Sequence, residues 1–142
     1  MATIICDVDG TLLTKRADLR DDKKNWYTPR LDDELIVPVA QMIAKFWVVE
    51  HVEVVLLSGR KERYRDITLQ TLEKYQWRYF DSLLMRKTED NRPDEVIKKE
   101  IFDEHLKDRE ILFAIDDRPR IVRLWRSMGI FTFDVNQRGV EF

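Results

Sequence analysis

Residues 3–13 read Thr-Ile-Ile-Cys-Asp-Val-Asp-Gly-Thr-Leu-Leu, and the interpretation of the whole chain starts from this stretch. The run from Thr3 to Val8 is short, apolar and rich in β-branched residues, which predicts a buried strand. Two carboxylates, Asp7 and Asp9, stand at its end two positions apart, so a strand would direct both to one side. Two anions so close repel each other, and a divalent cation that prefers hard oxygen ligands would relieve the repulsion. The stretch therefore predicts a magnesium site at the end of a buried strand.

The residues after the second carboxylate agree with this interpretation. Gly10 lets the backbone leave the strand in a conformation that a side chain would obstruct. The hydroxyl of Thr11 can hydrogen-bond back to a carboxylate. An ordinary strand ending in an Asx-type turn is the alternative, since Asp and Gly are common turn residues. Polar side chains at the ends of later strands would decide between the two.

Composition predicts one globular domain that covers residues 1–142. With 44% hydrophobic and 37% charged residues, a chain of 142 residues can bury a real core. A net charge of −2 provides no global basic field, so contacts with nucleic acid would depend on local basic clusters. The single cysteine, Cys6, excludes an internal disulfide and favours a reducing, cytoplasmic location. We expect no membrane partner and no signal peptide, because apolar runs are short and the chain enters the first strand at once.

Strand and helix patterns alternate along the rest of the chain. Helices are predicted from Pro38, over 64–77, from Pro93 and from Pro119, with further strands over 52–57, 80–85, 110–115 and 130–135. Such alternation predicts right-handed βαβ units. The expected fold is therefore a three-layer, Rossmann-like α/β sandwich, a parallel sheet with helices on both faces.

Residues 14–34 are polar and of mixed charge, which predicts a small flap rather than a large cap domain. The segment could be a solvated loop anchored by Trp26 and Tyr27. Alternatively it forms a lip that contacts substrate through Arg16 or Arg20 and stacks a base on Trp26.

Functional side chains recur where the later predicted strands end. The second predicted strand is followed by Ser58-Gly59-Arg60, a hydroxyl, a flexible amide and a guanidinium that together suit a phosphate. The fourth is followed by Asp116-Asp117-Arg118. Ligands of parallel sheets bind beyond the carboxyl ends of the strands, so we expect these groups to meet Asp7 and Asp9.

These residues predict phosphate-monoester hydrolysis through an aspartyl-phosphate. Asp7 would be the nucleophile, and Asp9 the general acid and then the base. Magnesium would be bound by Asp7, the backbone carbonyl of Asp9 and Asp117, with Asp116 acting through a water or holding a neighbour. Ser58 and the amide of Gly59 would hold the transferring phosphoryl oxygens. Two other chemistries are excluded: Leu12 stands where a cysteine phosphatase needs Arg, and the chain has no P-loop.

Asp7-Val8-Asp9-Gly10-Thr11-Leu12, with the later groups, resembles the signature of the haloacid dehalogenase (HAD) phosphatase superfamily. A finer resemblance covers nearly the whole chain. Residues 52–60, 95–102 and 113–130 are similar to the C-terminal 3′-phosphatase domain of the bacteriophage polynucleotide kinase/phosphatase, whose kinase half is missing here. This resemblance implies that Lys98, rather than Lys99, faces the phosphate. The candidate substrate-binding residues are Thr11 and Gly59, together with Arg60, Asp94 and Arg118, which the resemblance adds. The resemblance also implies a flap arginine, either Arg16 or Arg20, of which Arg16 is the first candidate.

We therefore expect a magnesium-dependent polynucleotide 3′-phosphatase that heals nucleic-acid ends, with a separate kinase or ligase as its functional partner. One alternative is a HAD phosphatase for nucleotides or other small phosphate esters. Another is a non-catalytic binding domain on this fold. The intact carboxylate pairs Asp7/Asp9 and Asp116/Asp117 argue against a retired site, and a site without a large cap admits a polymer more easily.

Overall fold

A computed structural model describes residues 1–20 and 28–142. Its strands are β1 (Ala2–Cys6), β2 (Leu13–Thr14), β3 (Glu34–Leu35), β4 (Glu53–Lys61), β5 (Ser82–Arg86), β6 (Glu110–Asp116) and β7 (Thr132–Asp134). Its α-helices are α1 (Val37–Val49), α2 (Arg65–Lys74), α3 (Asp94–His105) and α4 (Pro119–Ser127), and short 3₁₀ turns occupy Ala17–Leu19 and Glu62–Tyr64. The alternating helices and strands predicted from the sequence are confirmed.

Five strands form one parallel sheet in the order β5-β4-β1-β6-β7. The first strand lies in the middle, between β4 and β6. Its carboxyl end, which leads into Asp7, is therefore flanked by the carboxyl ends of two strands from later in the chain. In a parallel sheet this edge is where ligands bind.

Helices cover both faces of the sheet, as the expected three-layer α/β fold requires. Ile4 of β1 belongs to the core beneath α1 and α2, which contribute Ile43 and Leu72. Ile5, one position later, belongs to the opposite core with Trp125 of α4. All five side chains are almost fully buried. Successive strand residues face opposite sides, so the two hydrophobic layers fix β1 from both faces and hold the site at its end.

Strand β4 is longer than the sequence predicts. Its apolar run ends at Leu57, but pairing with β5 continues to Lys61, so Ser58-Gly59-Arg60 lies inside the strand and not after it. The register shifts between the pairs Ser58–Met85 and Lys61–Arg86. Such an irregularity bends a strand and changes the direction of side chains, and Arg60 lies within it. Hydropathy misplaces the strand end because backbone pairing continues through polar residues.

The predicted flap has an ordered base that was not predicted. Strands β2 and β3 pair in antiparallel fashion, with Leu13 opposite Leu35. Trp26 and Tyr27, the expected anchors or stacking partners, lie outside the described residues. The part of the chain that the structure describes contains no large cap domain. It also contains no helix that is both long and apolar enough to cross a membrane.

Candidate active site

Three carboxylates form a cluster at the carboxyl end of the sheet. Asp7 follows β1, Asp116 ends β6, and Asp117 comes directly after it. One carboxylate oxygen from each lies within 4.8 Å of the others. Asp7 and Asp116 are buried and Asp117 is half-buried. Neighbouring parallel strands thus bring together charges that are more than a hundred residues apart in the chain.

Lys98 supplies a cation to this cluster. Its Nζ lies 2.8 Å from Oδ1 of Asp7 and 3.0 Å from Oδ2 of Asp116, and its side chain is 2% exposed. Burial opposes the charged form, but Asp116 and Asp7 outweigh it and raise the pKa of Lys98 well above its usual value. The lysine therefore stays protonated. It lies in the N-terminal half of α3, which places the ammonium under the sheet edge.

One ammonium does not neutralise three carboxylates. Burial, reinforced by repulsion from Asp7, raises the pKa of Asp116 to about 7. The same two causes raise the pKa of Asp117 to about 9. The native cluster thus retains protons that an unfolded chain would release. Hard carboxylate oxygens with excess negative charge are the donors that Mg²⁺ prefers, so the residues fit a divalent cation. The HAD family that the motif around Asp7 resembles generally uses Mg²⁺.

The turn after β1 fits closely around Asp117. Gly10 has φ +78°, and a Cβ there would lie 2.0 Å from Oδ2 of Asp117. Only glycine satisfies both conditions at this position. The hydroxyl of Thr11 lies 3.2 Å from Oδ2 of Asp7 and 3.2 Å from Oδ1 of Asp117, where it can donate to either. The expected bond from Thr11 to a carboxylate is therefore present.

Asp9 does not belong to the acidic cluster. Its Oδ2 and Oδ1 accept hydrogen bonds from Nε and Nη2 of Arg60, at 2.9 and 2.7 Å. Strand alternation predicted that Asp7 and Asp9 form a close like-charged pair, and this expectation is corrected. Asp116 and Asp117 are the carboxylates close to Asp7, whereas Asp9 faces a guanidinium. The reason is that β1 ends at Cys6, so the strand alternation does not extend to Asp9. The carboxylate of Asp9 is 45% exposed and accessible to a substrate.

Arg60 is a buried positioning residue in this geometry. Besides Asp9 it donates to Oγ1 of Thr68 at 2.8 Å and to Oδ2 of Asp33 at 3.2 Å, and its side chain is 3% exposed. Asp33 in turn accepts from Nζ of Lys15 at 3.1 Å. A guanidinium with these partners has little surface left for substrate. Direct substrate contact by Arg60 stays a prediction.

Asp33, Thr68 and Lys15 were not predicted as site residues. Asp33 and Lys15 come from the polar flap, which contains many charged residues. Only their burial and the contact of Asp33 with Arg60 distinguish them. Thr68 lies on α2 among ordinary helical residues. No local sequence signal identifies these three positions.

A second salt-bridge group lies beside Gly59. The carboxylate of Asp94 accepts hydrogen bonds from Nη2 of Arg86 at 2.7 Å and from Nη1 of Arg118 at 3.1 Å. Arg86 also donates to the carbonyl of Gly59 at 2.7 Å. A Cβ at Gly59 would lie 2.1 Å from Oδ1 of Asp94, so glycine is required here by the close approach. Arg86 was missed, although it directly follows the apolar run that was predicted as the strand over 80–85, and this is the same signal that identified the other residues.

Two other predicted site residues lie away from the cleft surface. Ser58 is fully buried, and its Oγ accepts the amide N–H of Arg60 at 3.0 Å. Its contact with a phosphoryl group stays a prediction. Arg16 is exposed and bonded to Asp18 and Asp32, so the structure does not bring it to the site. Arg20 does line the cleft, where its guanidinium binds the carbonyl of Lys15.

Nine of the predicted site residues share one cleft of about 1490 Å³, whereas Thr11 is fully buried and does not line it. Those that line it are Asp7, Asp9, Gly59, Arg60, Asp94, Lys98, Asp116, Asp117 and Arg118. The carboxylate of Asp7 lies next to the buried Lys98 and within an acidic cluster, and Asp9 provides a separate, half-exposed carboxylate. This arrangement is typical of a HAD-type phosphatase domain.

Comparison with known proteins narrows this class. Residues 1–139 match the family described as the polynucleotide kinase PNKP phosphatase domain, and the chain belongs to that family. A provisionally named bifunctional polynucleotide kinase/RNA ligase of Autographa californica nuclear polyhedrosis virus is 29% identical over 147 residues, which cover 98% of this chain. The chain spans only 20% of that viral protein.

Solved structures agree with the family. Structures of the Pnkp1/Rnl/Hen1 complex and the Pnkp1/Rnl/Hen1 RNA repair complex contain chains 38% and 39% identical to this one, each with a TM-score of 0.82. In both, the similarity covers 94% of this chain and under half of the other, 45% and 42%. A provisionally named beta-phosphoglucomutase from Thermotoga maritima shares the fold, with a TM-score of 0.60 and 14% sequence identity. The similarity covers 94% of this chain and 85% of the mutase chain.

Proposed function

We propose that this domain is a magnesium-dependent polynucleotide 3′-phosphatase that acts through an aspartyl-phosphate. The observation that carries the proposal is the arrangement of Asp7, whose carboxylate is bonded by Lys98 and opens on a cleft also lined by Asp9. It provides a nucleophile, a cation for phosphoryl oxygens and a separate carboxylate for proton transfer. The family match supports phosphate esters of polynucleotides as substrates.

The proposed reaction has two steps. In the first, the carboxylate of Asp7 attacks phosphorus, the bond to the leaving 3′ oxygen breaks, and Asp9 gives its proton to that oxygen. In the second, water attacks phosphorus and gives a proton to Asp9, and cleavage of the bond to Asp7 releases inorganic phosphate. Arg60 fixes the orientation of Asp9 in both steps. Lys98 compensates charge on the phosphoryl group once Asp7 is esterified.

The carboxylates of Asp7, Asp116 and Asp117 would hold the magnesium ion, and the backbone carbonyl of Asp9 is a predicted further ligand. Such an ion supplies positive charge that offsets the repulsion between an anionic nucleophile and an anionic phosphate. Asp116, bonded to both Lys98 and the amide of Arg118 at 3.0 Å, would also keep the lysine in place.

We further propose that the domain works with a kinase and a ligase. The viral relative carries both names in one chain, and the structural neighbours are parts of assemblies named for RNA repair. A 3′-phosphate blocks ligation, so its removal would precede the joining of ends. Whether these partners are separate proteins or other parts of a longer chain does not alter the proposed chemistry of the site.

The decisive experiment measures phosphate release with Mg²⁺ from three substrates: a 3′-phosphorylated oligonucleotide, its 5′-phosphorylated counterpart and a 3′-mononucleotide. We expect the 3′-phosphorylated oligonucleotide to have the highest kcat/KM. Asp7→Asn should lower kcat roughly 10⁴-fold or more, as loss of a covalent nucleophile does in other enzymes. Asp103→Asn, at an exposed carboxylate outside the cleft, is the matched control.

The alternative is a phosphatase for small phosphate esters, and the same experiment tests it. A higher kcat/KM for the mononucleotide or the 5′-phosphate would favour that alternative. No phosphate release from any ester with Mg²⁺ would favour a non-catalytic binding domain. Substantial turnover by a folded Asp7→Asn protein would refute the covalent mechanism.

A further inference from the structure

Cations surround the cleft, and most of them already have carboxylate partners. Arg60 is bonded to Asp9 and Asp33, and its side chain is almost fully buried. Arg118 and Arg86 share the carboxylate of Asp94. Because these guanidinium groups are paired inside the protein, they offer little free charge to the backbone of a polynucleotide.

Two cations at the end of β4 differ from the rest. Lys61 and Arg63 line the cleft, and within residues 1–20 and 28–142 neither side chain is paired with a carboxylate. The acid between them, Glu62, is bonded twice by Arg65, at 2.8 and 2.7 Å. This segment therefore presents to the cleft two positive charges that no described carboxylate pairs with.

The segment is also well anchored. The amide of Arg63 donates to Oγ1 of Thr88 at 3.1 Å, and the Arg63 guanidinium lies 5.0 Å from the centre of the Tyr64 ring. The carbonyl of Tyr64 accepts from Oγ1 of Thr68 at 2.7 Å, and the same hydroxyl accepts from Arg60. The backbone of this segment and the guanidinium of Arg63 are thus held in a fixed relation to the arginine that contacts Asp9, and Lys61 is placed by its position at the end of β4. A preorganised cation loses less entropy when it binds an anion.

The opposite wall of the cleft is less suited to anions. Arg120, near the start of α4, also lines the cleft, but a carboxylate oxygen of Glu95 lies 3.8 Å from its guanidinium. Lys61 and Arg63 come from β4 and the 3₁₀ turn that follows, on the other side of β1. The charge distribution therefore favours the β4 side for an extended anion.

We propose that Lys61 and Arg63 bind the phosphodiester groups that adjoin the reacting phosphate, so that the strand leaves the active site across the 3₁₀ turn Glu62–Tyr64. This inference rests on the proposed function, and it names the residues that select a polymer. The cleft of about 1490 Å³ exceeds the roughly 300–1,000 Å³ of typical small-molecule pockets, which leaves room for more than a terminal nucleotide. A mononucleotide has no second phosphate for these cations.

The test compares kcat/KM for a 3′-phosphorylated oligonucleotide with kcat/KM for the 3′-mononucleotide. Lys61→Ala and Arg63→Ala should each lower this ratio about tenfold, and the double variant further, because each removes a charge-assisted contact. The salt dependence of the oligonucleotide reaction should become shallower by about 0.7 in log–log slope for each lost contact. Arg63→Lys, which keeps the charge, should retain most of the ratio.

Two matched variants should retain the ratio: Arg120→Ala on the opposite wall, and Lys107→Ala, an exposed cation beyond α3. A readout independent of turnover is the anisotropy of a labelled 3′-phosphorylated oligonucleotide with Asp7→Asn protein. Addition of Lys61→Ala and Arg63→Ala to that protein should weaken binding and reduce its salt dependence.

The outcomes separate this inference from the proposed function. If wild-type protein shows no preference for the oligonucleotide, both are wrong. If the preference exists but survives in the double variant, or is lost in Arg120→Ala instead, only the assignment of Lys61 and Arg63 is overturned.

Discussion

Lys98 donates from its ammonium to Oδ1 of Asp7 at a distance of 2.8 Å, and both side chains are more than nine-tenths buried. The two residues are 91 positions apart in the chain and meet because α3 runs beneath the end of the central strand. The ammonium is the one cation hydrogen-bonded to the acidic cluster among the described residues. The stability of the acidic cluster and the orientation of the Asp7 carboxylate therefore both depend on this pair.

Replacement of Lys98 should destabilise the protein strongly in the absence of metal. Lys98→Met leaves the buried carboxylates without a cation, and loss of one partner from a buried ion pair costs about 3–5 kcal/mol. Lys99→Met is the matched control: Lys99 is the next residue on α3, exposed and paired with Asp103, and should cost under about 1 kcal/mol. Urea unfolding in EDTA measures both. Similar losses in the two variants would contradict the assigned role of Lys98.

Asp9→Asn should affect substrates according to their leaving groups. We expect a loss of roughly 10²–10⁴-fold in kcat on an alkyl phosphate, because the departing alkoxide needs a proton. The loss should be smaller on an aryl phosphate, whose phenolate leaves without protonation. Steady-state kinetics on a matched pair of esters measures the difference. Equal losses on both would show that Asp9 does not act as the general acid.

Arg60→Lys should reproduce part of this pattern without removing the acid. Lysine cannot hold Asp9, Asp33 and Thr68 at once in the fixed geometry of a guanidinium. Displacement of Asp9 by about an ångström could cost roughly 10²-fold, again more on the alkyl than on the aryl ester. Combined with Asp9→Asn, the loss should be less than additive. Arg78→Lys, an exposed arginine paired with Glu73, serves as control.

An equal effect of Arg60→Lys on both esters would contradict the positioning role. It would instead indicate a general structural contribution or a direct contact with the phosphate.

Without metal, stability should fall as pH rises from 6 to 9. The raised pKa values of Asp116, about 7, and Asp117, about 9, mean that the native state binds protons that the unfolded chain has already released. The stabilisation that such a group contributes is complete at pH values below its pKa in the unfolded chain. It is lost as the pH rises through the higher pKa of the group in the folded protein. Each group can contribute up to about 1.4 kcal/mol per pH unit. Thermal unfolding in EDTA across this range measures the change.

Saturating Mg²⁺ should flatten this pH dependence, because a cation stabilises the ionised carboxylates. Asp117→Asn should flatten it in EDTA, since it removes the group with the higher pKa, and should reduce the stabilisation by Mg²⁺. Stability in EDTA that stays constant or rises from pH 6 to 9 in the wild-type protein would show that the cluster is not crowded as described.

The sequence by itself determined the local structure and the chemical character of the site. Thr3 to Cys6 forms a strand because its side chains are apolar or β-branched. Helix α4 begins at Pro119 and ends at Ser127, shortly before Gly129 with its positive φ, for reasons contained within a few residues. Strand–helix alternation then implied a parallel sheet with ligands at one edge. That was enough to identify Asp7, Asp116 and Asp117 as neighbours.

Only the tertiary structure decided which charges face each other. The pairing of Asp9 with Arg60, and the burial of Asp33 beside it, connect segments that are 51 and 27 residues from Arg60. The strand order β5-β4-β1-β6-β7 and the register shift in β4 set those contacts. Local sequence encodes backbone preference and side-chain type, but the energy of a charge depends on burial and on partners that folding brings within a few ångströms. For that reason Arg16 looked as suitable as Arg20 until the fold placed Arg20 at the cleft.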